Sequence, residues 1–347
     1  MARRLLWSSL LLAPLTVLAD LLGAGKTPLF VLAAAALIPL AWLIGEATEH
    51  AAEHTGPGIG GFLNASFGNA PEIIIALLAI ESGLPNVVRG SLAGSIVSNL
   101  LLVLGVSFVV AKKGRLDRPS LLFQTGTVVL AGALFLVPSI PGWHGSPERH
   151  TLAVATIPVA ALLLLVYAVT TIASLRRHKR LYIESGETAH DEAWGLPLAL
   201  LVLALATGAT AFVSEILVHS LDAFAHAVGA SEFFIAVVVV AIVGNTAEHG
   251  GAILISRRGK IRLASEIAIS SAAQVALFVA PLVALLSFAF AHSLPLAFRP
   301  IEVVTILAAA LLVAAVVARG EARRGLGAVL VAAYLGMAIA YLLAGDR

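Results

Sequence analysis

Two short acidic motifs inside apolar stretches are the residues of this chain best suited to bind and release ions. Residues 68–72 read Gly-Asn-Ala-Pro-Glu and residues 244–248 read Gly-Asn-Thr-Ala-Glu, so the pattern G-N-x-x-E occurs twice, 176 residues apart. In each motif the Asn precedes the Glu by three residues and therefore shares its helical face. Two carboxylates and two amide oxygens form an oxygen-only ligand set, which suits the hard, doubly charged Ca²⁺ ion.

The backbone of the motifs favours the same chemistry. Gly68 and Gly244 loosen the helix and allow close approach of a neighbour. Pro71 has no N–H group, so we expect the carbonyl oxygen of Phe67 to become available as a ligand. The expected metal ligands are Glu72, Glu248, Asn69 and Asn245, supported by Gly68, Gly244, Phe67, Pro71, Ser95, Ser98, Asn99, Ser270 and Gln274. The alternative is that the small and polar residues only pack helices, with the Glu pair protonated.

Other titratable residues in apolar segments predict a path for protons or cations. A carboxylate in hydrocarbon costs at least about 2.5 kcal/mol, and the apolar segments concerned contain no Lys or Arg. Each carboxylate must therefore be protonated, hydrated or paired with a cation from solution. The predicted path residues are Glu46, Glu49, Glu53, Glu215, His50 and His249. Hydrated helix ends, and an ordinary hydrogen bond of His249 to a neighbouring helix, are the alternatives.

The composition places these residues in a membrane. The chain has 347 residues, of which 59% are apolar and 12% are charged, with no cysteine and a mean hydropathy of +0.98. These values exclude a disordered or fibrous chain and argue against a soluble enzyme. Eleven stretches are long enough to cross a bilayer as helices, and we number them spans 1 to 11. They are residues 4–23, 28–54, 58–81, 87–111, 119–138, 151–175, 195–220, 231–255, 263–291, 301–318 and 325–344. The predicted fold is therefore an all-α integral membrane protein with eleven transmembrane helices.

The basic residues predict the orientation. Seventeen of the 22 Lys and Arg lie before span 1 or in the connectors after spans 4, 6, 8 and 10, all on one side of an eleven-span chain. The positive-inside rule then places the N-terminus in the cytoplasm and the C-terminus outside, in a plasma or inner membrane. Span 1, preceded by Arg3 and Arg4, is expected to be an uncleaved helix. The alternative is a cleaved signal peptide.

The recurrence of the motif extends to its surroundings and predicts an inverted repeat. Residues 48–49 resemble residues 214–215, and residues 95–99 resemble residues 270–274. Spans 2–6 and 7–11 therefore form two copies of five helices, and the odd number inverts the second copy, as in many secondary transporters. The predicted organisation is an additional helix (1–25), the first repeat (26–176), a charged cytoplasmic connector (177–194) and the second repeat (195–347). The connector is either a solvated linker or a regulatory cation sensor.

With these motifs in place, a family resemblance can be stated. Residues 45–49, 54–57 and 60–72 resemble the first repeat of the calcium/proton antiporter family, within the calcium:cation antiporter superfamily, and residues 244–249 and 273–281 resemble its second repeat. The resemblance implies that Ca²⁺ and H⁺ compete for Glu72 and Glu248, with Asn69 and Asn245 assisting, while helices slide across the site. It implies no cofactor beyond the transported ions, the lipid bilayer as partner, and no nucleic acid. The oligomeric state stays open.

The predicted function is exchange of Ca²⁺ for H⁺ by alternating access at the central Glu pair, in a secondary transporter that is not an enzyme. Exchange of Na⁺ for Ca²⁺, or of Na⁺ or K⁺ for H⁺, is the alternative within this class. A distant alternative is an intramembrane zinc peptidase, because residues 50–54 match H-x-x-E-H. His50 and His54 would hold zinc and Glu53 would be the base, but no third ligand is evident.

Overall fold

The computed structural model describes residues 2–111, 113–143, 149–185 and 194–345, and these residues are almost entirely helical. The helices are α1 (Ala2–Ser9), α2 (Leu12–Leu21), α3 (Lys26–Gly68), α4 (Ala70–Glu81), α5 (Pro85–Val97), α6 (Leu104–Val110), α7 (Arg118–Trp143), α8 (Arg149–Ser185), α9 (Leu196–Val228), α10 (Glu232–Ile235), α11 (Ala241–Gly244), α12 (Thr246–Arg257), α13 (Ile261–Gln274), α14 (Ala280–Leu286), α15 (Pro300–Val317) and α16 (Arg324–Ala344). Two strands, β1 (Gly114–Arg115) and β2 (Glu321–Ala322), form an antiparallel pair.

The described residues contain eight helices long and apolar enough to span a membrane, or nine if a pair bent by 62° between Gly244 and Thr246 is one span. Two predicted spans differ from this set. Span 1 is divided into α1 and α2, because Pro14 cannot donate the hydrogen bond that would join them through Leu10. Span 3 is not a separate helix, since its first half continues span 2 within α3 and its second half is α4. The count of eleven therefore stays a prediction.

Helices α3 and α9, from the two predicted copies, pack side by side in opposite directions. At one end the Thr27 hydroxyl lies 3.4 Å from the Ala223 carbonyl oxygen, and the Phe30 and Phe224 rings stack at 4.3 Å. At the other end His54 Nε2 lies 2.7 Å from the carbonyl oxygen of Trp194. An antiparallel pair is what inversion predicts for spans 2 and 7.

Spans 4 and 9 lie at the centre of the bundle, and both contain a π-helical segment. In span 4 this segment is Ser98–Val103, between α5 and α6, and in span 9 it is Val275–Val279, between α13 and α14. A third π-helical segment, Ala236–Val240, joins α10 to α11. Such segments shift the register of backbone hydrogen bonds and are frequent at functional sites. All three lie in the spans that surround the two acidic motifs.

Three connectors meet at one end of the bundle, which we call the basic end. Asp117, after span 4, forms an ion pair with Arg262, after span 8. Strand β1, also after span 4, pairs with β2, after span 10, and Lys113 Nζ lies 3.4 Å from Glu321 Oε2 across this pair. These connectors are the ones that the eleven-span prediction places on the cytoplasmic side.

The other connectors meet at the opposite end. The Arg89 guanidinium donates a 2.7 Å hydrogen bond to the Ala297 carbonyl oxygen, and Trp143 Nε1 donates one of 2.9 Å to Phe298. Arg299 donates to the carbonyl oxygen of Gly345 at the end of α16. The two groups of connectors are thus kept apart, in agreement with the predicted sides.

The connector between the predicted copies is more helical than expected. Helix α8 begins at Arg149 and continues to Ser185, well past the predicted end of span 6. The basic half of the connector is therefore an extension of this helix, and Lys and Arg are good helix formers. The acidic residues Glu187, Asp191 and Glu192 lie outside the described residues.

Candidate ion-binding site

Both acidic motifs interrupt a helix at their Asn residue. Asn69 separates α3 from α4 with φ −98° and ψ 12°, and Asn245 separates α11 from α12 with φ −96° and ψ 11°. The two backbones are nearly identical although Pro71 stands in one copy and Ala247 in the other. Each break ends one set of helical hydrogen bonds and starts another, which places Glu72 and Glu248 in the first turn of a new helix.

The structure brings the two Glu side chains together by a reciprocal contact with the motif glycines. A Cβ atom on Gly244 would lie 3.3 Å from Cγ and 3.6 Å from Oε1 of Glu72, and one on Gly68 would lie 3.8 Å from Oε1 of Glu248. The two carboxyl groups interact electrostatically. Each glycine therefore makes room for the carboxylate of the other copy.

Several oxygen atoms around this pair can accept an ion. Within the part of the chain that the structure describes, Glu72 Oε2, Glu248 Oε2 and Asn99 Oδ1 are buried and have no hydrogen-bond partner. Buried polar atoms are usually paired, so atoms without a protein partner are suited to an ion or a proton. Among the described residues no ion pair joins either Glu to a basic side chain.

In the second copy, Asn245 is held by span 4 of the first copy. Its amide group donates to the Ser95 hydroxyl at 2.8 Å and to the Ala241 carbonyl oxygen at 3.0 Å. Its Oδ1 accepts a 3.3 Å hydrogen bond from Asn99, which also donates to the Ser95 carbonyl oxygen. The predicted supporting residues Ser95 and Asn99 thus contact a motif residue directly.

In the first copy, the corresponding contact is made to span 9. The Asn69 amide group donates a 3.0 Å hydrogen bond to Gln274 Oε1 in span 9. Ser98 and Ser270, the other predicted supporting residues, instead donate to backbone carbonyl oxygens of their own helices, those of Ser95 and Ile267. Their hydroxyl groups therefore bond within their own helices and not to the motifs.

The expectation for Phe67 was wrong in one respect. Pro71 does remove the helical donor to the Phe67 carbonyl oxygen, but this oxygen accepts a hydrogen bond from the Asn69 N–H group instead. The Asn245 N–H group bonds to the Val243 carbonyl oxygen in the same way. The local turn at Asn69 therefore uses the Phe67 carbonyl group, which the sequence suggested was free.

The predicted path residues are spread over both long helices. Glu49 and Glu53 are exposed near the basic end of α3, Glu46 is half-buried one turn earlier, and Glu215 is exposed on α9. His249 is buried beside Glu248, and its Nε2 atom has no hydrogen-bond partner among the described residues. A role for these residues in carrying protons or cations stays a prediction.

The geometry of residues 50–54 does not suit a zinc peptidase. The His50 ring stacks on Trp194 at 4.6 Å, and His54 Nε2 is bonded to the Trp194 carbonyl oxygen. The described residues hold no group of three or more His, Asp or Glu side chains that could bind a metal ion.

Two serines near the Glu pair were missed by the sequence analysis. The hydroxyl group of Ser271 lies beside Glu248, and Ser91 lines a narrow cavity with Glu72, Ser95 and Gly244. Ser271 could have been found from the sequence, because adding the 176-residue offset between the motifs to the number of Ser95 gives Ser271 and not Ser270. Ser91 precedes Ser95 by one helical turn on the same face.

The two ends of the site differ in how tightly they are packed. Towards the Arg89 end, a Cβ atom on Gly94 would lie only 2.0 Å from the Val237 carbonyl oxygen, so α5 contacts the segment before α11 backbone to backbone. Towards the basic end, Gly250 and Gly251 of α12 have open space around them, and Glu248 is half-buried. Backbone packing is therefore tighter at the contact of Gly94 with Val237 than around Gly250 and Gly251.

Comparison with known proteins identifies the family. The model of the family described as sodium/calcium exchanger protein matches residues 26–176 and 198–343. The chain belongs to this family. It is 36% identical over 340 residues to the Ca(2+)/H(+) antiporter ChaA of Bacillus subtilis (strain 168), covering 95% of this chain and 96% of that protein. It is 32% identical to a Ca(2+)/H(+) antiporter of Aphanothece halophytica, over 96% and 94% of the two chains.

Solved structures agree with membership of the sodium/calcium exchanger family. The structure of native YfkE matches with a TM-score of 0.81 and 35% identity, over 95% of this chain and 97% of that chain. The H+/Ca2+ exchanger CAX matches with a TM-score of 0.70 at 16% identity, which shows the shared fold alone. Membership of this family makes the chain a multi-pass membrane transporter and not an enzyme, so the zinc-peptidase alternative was wrong.

Proposed function

We propose that this protein exchanges Ca²⁺ for H⁺ across its membrane at the central pair Glu72 and Glu248. The observation that carries the proposal is the reciprocal packing of each carboxylate against the glycine of the other copy, with one oxygen of each free of protein partners. The relatives that share about a third of its sequence are named as Ca(2+)/H(+) antiporters.

The bound ion would be held by oxygen atoms from both copies. Glu72 and Glu248 supply the charge that balances one divalent ion, and amide oxygens of Asn69, Asn99 and Asn245 complete the shell with water. Ca²⁺ accepts six to eight oxygens at about 2.3–2.6 Å, in flexible geometry. The inverted arrangement of residues 26–176 and 195–347 is supported by the family match, which divides the chain at nearly the same positions.

Coupling would follow from the charge of the empty pair. With Ca²⁺ bound, or with protons bound, the two carboxylates are neutralised. Without either, two anions would have to be desolvated while the site turns from one side to the other, which is costly. Since Ca²⁺ and protons need the same oxygen atoms, one must leave before the other binds, and the pair titrates as a unit.

Alternating access is supported by the unequal packing at the two ends. Gly94 and Val237 are in backbone contact towards the Arg89 end, which would close that side, whereas Gly250 and Gly251 towards the basic end have open space around them. If the positive-inside rule holds, the basic end faces the cytoplasm and this conformation is inward-facing. Movement of the paired helices α3 and α9 relative to the central spans 4 and 9 would open the other end.

Ion flux in reconstituted vesicles tests the proposal. We expect an imposed pH gradient to drive Ca²⁺ uptake in Na⁺-free buffer, and expect Glu72→Gln or Glu248→Gln to abolish it. Glu81→Gln is the matched control, because Glu81 lies on the same helix as Glu72 but is exposed. Near-normal exchange in either pair variant, with the control also active, would refute the role of the pair.

Exchange of Na⁺ for Ca²⁺ is the second candidate, because the matched family is described by that activity. The same vesicles distinguish the two. A Na⁺ gradient at equal pH on both sides should drive little Ca²⁺ movement if protons are the coupling ion. Uptake driven by Na⁺ and unaffected by the pH gradient would favour the second candidate.

A further inference from the structure

A charged cluster around a fully buried carboxylate lies at the Arg89 end, outside both motifs. Glu302, in the first turn of α15, is fully buried, and its Oε2 accepts a hydrogen bond from the Arg299 N–H group. The Arg299 guanidinium lies 3.9 Å from the same oxygen, and Arg89, at the start of span 4, interacts with Glu302 electrostatically. Arg89 and Glu302 come from different predicted copies. The cluster of Arg89, Arg299 and Glu302 therefore ties the two copies together.

The cluster is connected to the segment that closes the site. The Arg299 guanidinium carbon lies 3.5 Å above the centre of the Phe233 ring, as in a cation–π contact. Phe233 belongs to α10 and packs on α5, since a Cβ atom on Gly90 would lie 3.0 Å from its ring. One helical turn further on, Val237 contacts Gly94 backbone to backbone, next to Ser95, which lines the narrow cavity beside Glu72. Glu302 is thus linked to this backbone contact through Arg299 and Phe233.

The corresponding connector at the basic end is held much more weakly. There Arg262 pairs with Asp117, and their side chains are 66% and 23% exposed, whereas those of Arg299 and Glu302 are 17% and 0% exposed. Exposed ion pairs contribute little to stability, but removing one partner of a buried pair is strongly unfavourable. Both connectors end in Arg-Pro at the start of the next helix, at Arg118 and Arg299. Two connectors with similar local sequence are therefore held by ion pairs that differ in burial.

We propose that Glu302 is a positioning residue that, with Arg89 and Arg299, holds α10 and α11 against α5 and keeps the site closed towards the Arg89 end. The buried cluster biases the resting protein to the conformation that is open at the basic end. The consequence for transport rests on the proposed function, but the closure itself can be measured without transport.

Cysteine accessibility provides the test, because the native chain contains no cysteine. Ser91→Cys places a single thiol in the narrow cavity beside Glu72. In purified protein in lipid nanodiscs, where both faces are accessible, a polar maleimide should label this thiol slowly. Adding Glu302→Gln should accelerate labelling about tenfold or more, because a closure that depends on a buried pair is lost with one partner.

Controls separate opening at one end from general loosening. Ser256→Cys, buried at the basic end, should label equally slowly with and without Glu302→Gln, and Glu81→Gln should leave the labelling of Ser91→Cys unchanged. If Glu302→Gln does not elute as a folded protein, Glu302→Asp replaces it. Glu302→Asp keeps the charge but shortens the side chain, and it should accelerate labelling to a smaller extent.

Two results would overturn the proposal. Unchanged labelling of Ser91→Cys in a folded Glu302 variant would show that the cluster does not hold the closure. Equal acceleration at Ser91→Cys and Ser256→Cys would show that Glu302 only stabilises the fold. Because labelling does not depend on ion exchange, neither result bears on whether Glu72 and Glu248 transport Ca²⁺.

Discussion

The two halves of the candidate site have the same ligands and the same backbone, but they differ in packing. Glu72 is 8% exposed and lies close against Gly244, whereas Glu248 is half-buried and lies less tightly against Gly68. The Asn69 amide group donates to Gln274, while the Asn245 amide bonds to Ser95, Ala241 and Asn99. Two motifs with the same residues and the same backbone therefore lie in unequal surroundings.

Exchanging each motif glycine for alanine should separate the two halves most strongly. In Gly244→Ala the new Cβ would lie 3.3 Å from Glu72 Cγ, whereas in Gly68→Ala it would lie 3.8 Å from Glu248 Oε1, an ordinary contact. Overpacking costs about 1–3 kcal/mol, so Gly244→Ala should weaken apparent Ca²⁺ affinity by about ten- to a hundredfold and Gly68→Ala by much less. Ca²⁺ uptake into vesicles at varied Ca²⁺ concentration measures both. Equal effects would mean that the two halves are not packed unequally.

Chemical modification compares the two carboxylates directly. Because Glu248 is more exposed than Glu72, a water-soluble carbodiimide should modify Glu248 several-fold faster, and Ca²⁺ should protect both. Mass spectrometry of peptides from the treated protein gives the two rates, with Glu81 as the freely accessible reference. Faster modification of Glu72 would reverse the assignment of the open end.

The asparagines should differ in their contribution to stability. Asn245→Ala leaves several buried polar groups of span 4 without a partner, and each such loss costs about 1–3 kcal/mol. Asn69→Ala removes the hydrogen bond to Gln274 in span 9. Thermal unfolding in detergent should therefore show a larger decrease in Tm for Asn245→Ala. A larger decrease for Asn69→Ala would contradict the hydrogen-bond geometry.

The smallest effect is expected at the basic end, outside the membrane. Arg323, hydrogen-bonded to Glu321, and the nearby Lys113 hold the pKa of Glu321 below its usual range. A lowered pKa contributes stability above the ordinary pKa of the carboxyl group, and this contribution is lost as the pH falls through the lowered value. Since the pair is exposed, Glu321→Gln should change Tm slightly at neutral pH and not at all in acid. A pH profile of transport altered by Glu321→Gln would show that surface carboxylates, and not the central pair, set it.

The sequence predicted the proximity of Glu72 and Glu248 better than it predicted the helices around them. The 176-residue offset was sufficient to pair Glu72 with Glu248, because duplicated motifs at corresponding depths must meet if the copies are inverted. The break at Asn245 was not predicted, since nothing in Gly-Asn-Thr-Ala-Glu marks a helix end as Pro71 does in the other copy. The Asn side chains at the two breaks bond to spans 4 and 9, in tertiary contacts that no local pattern contains.

Glu302 shows the same limit for charged residues. Glu302 lies inside span 10, yet it was not among the acidic residues that were predicted to have a function within the spans. Its partners Arg89 and Arg299 are 213 and three residues away, and the first could not be assigned without the fold. Long-range contacts between connectors can therefore be found only in the structure. Apolar spans and repeated motifs can be found in the sequence.

Proton release on Ca²⁺ binding is the most direct test of the central claim that one carboxylate pair holds either ion. Purified protein in weakly buffered detergent solution should release protons when Ca²⁺ is added, in an amount that changes with the starting pH. The double variant Glu72→Gln, Glu248→Gln should neither bind Ca²⁺ nor release protons, while Glu81→Gln should behave as the native protein. Ca²⁺ binding without proton release at any pH, or unchanged binding in the double variant, would contradict the account.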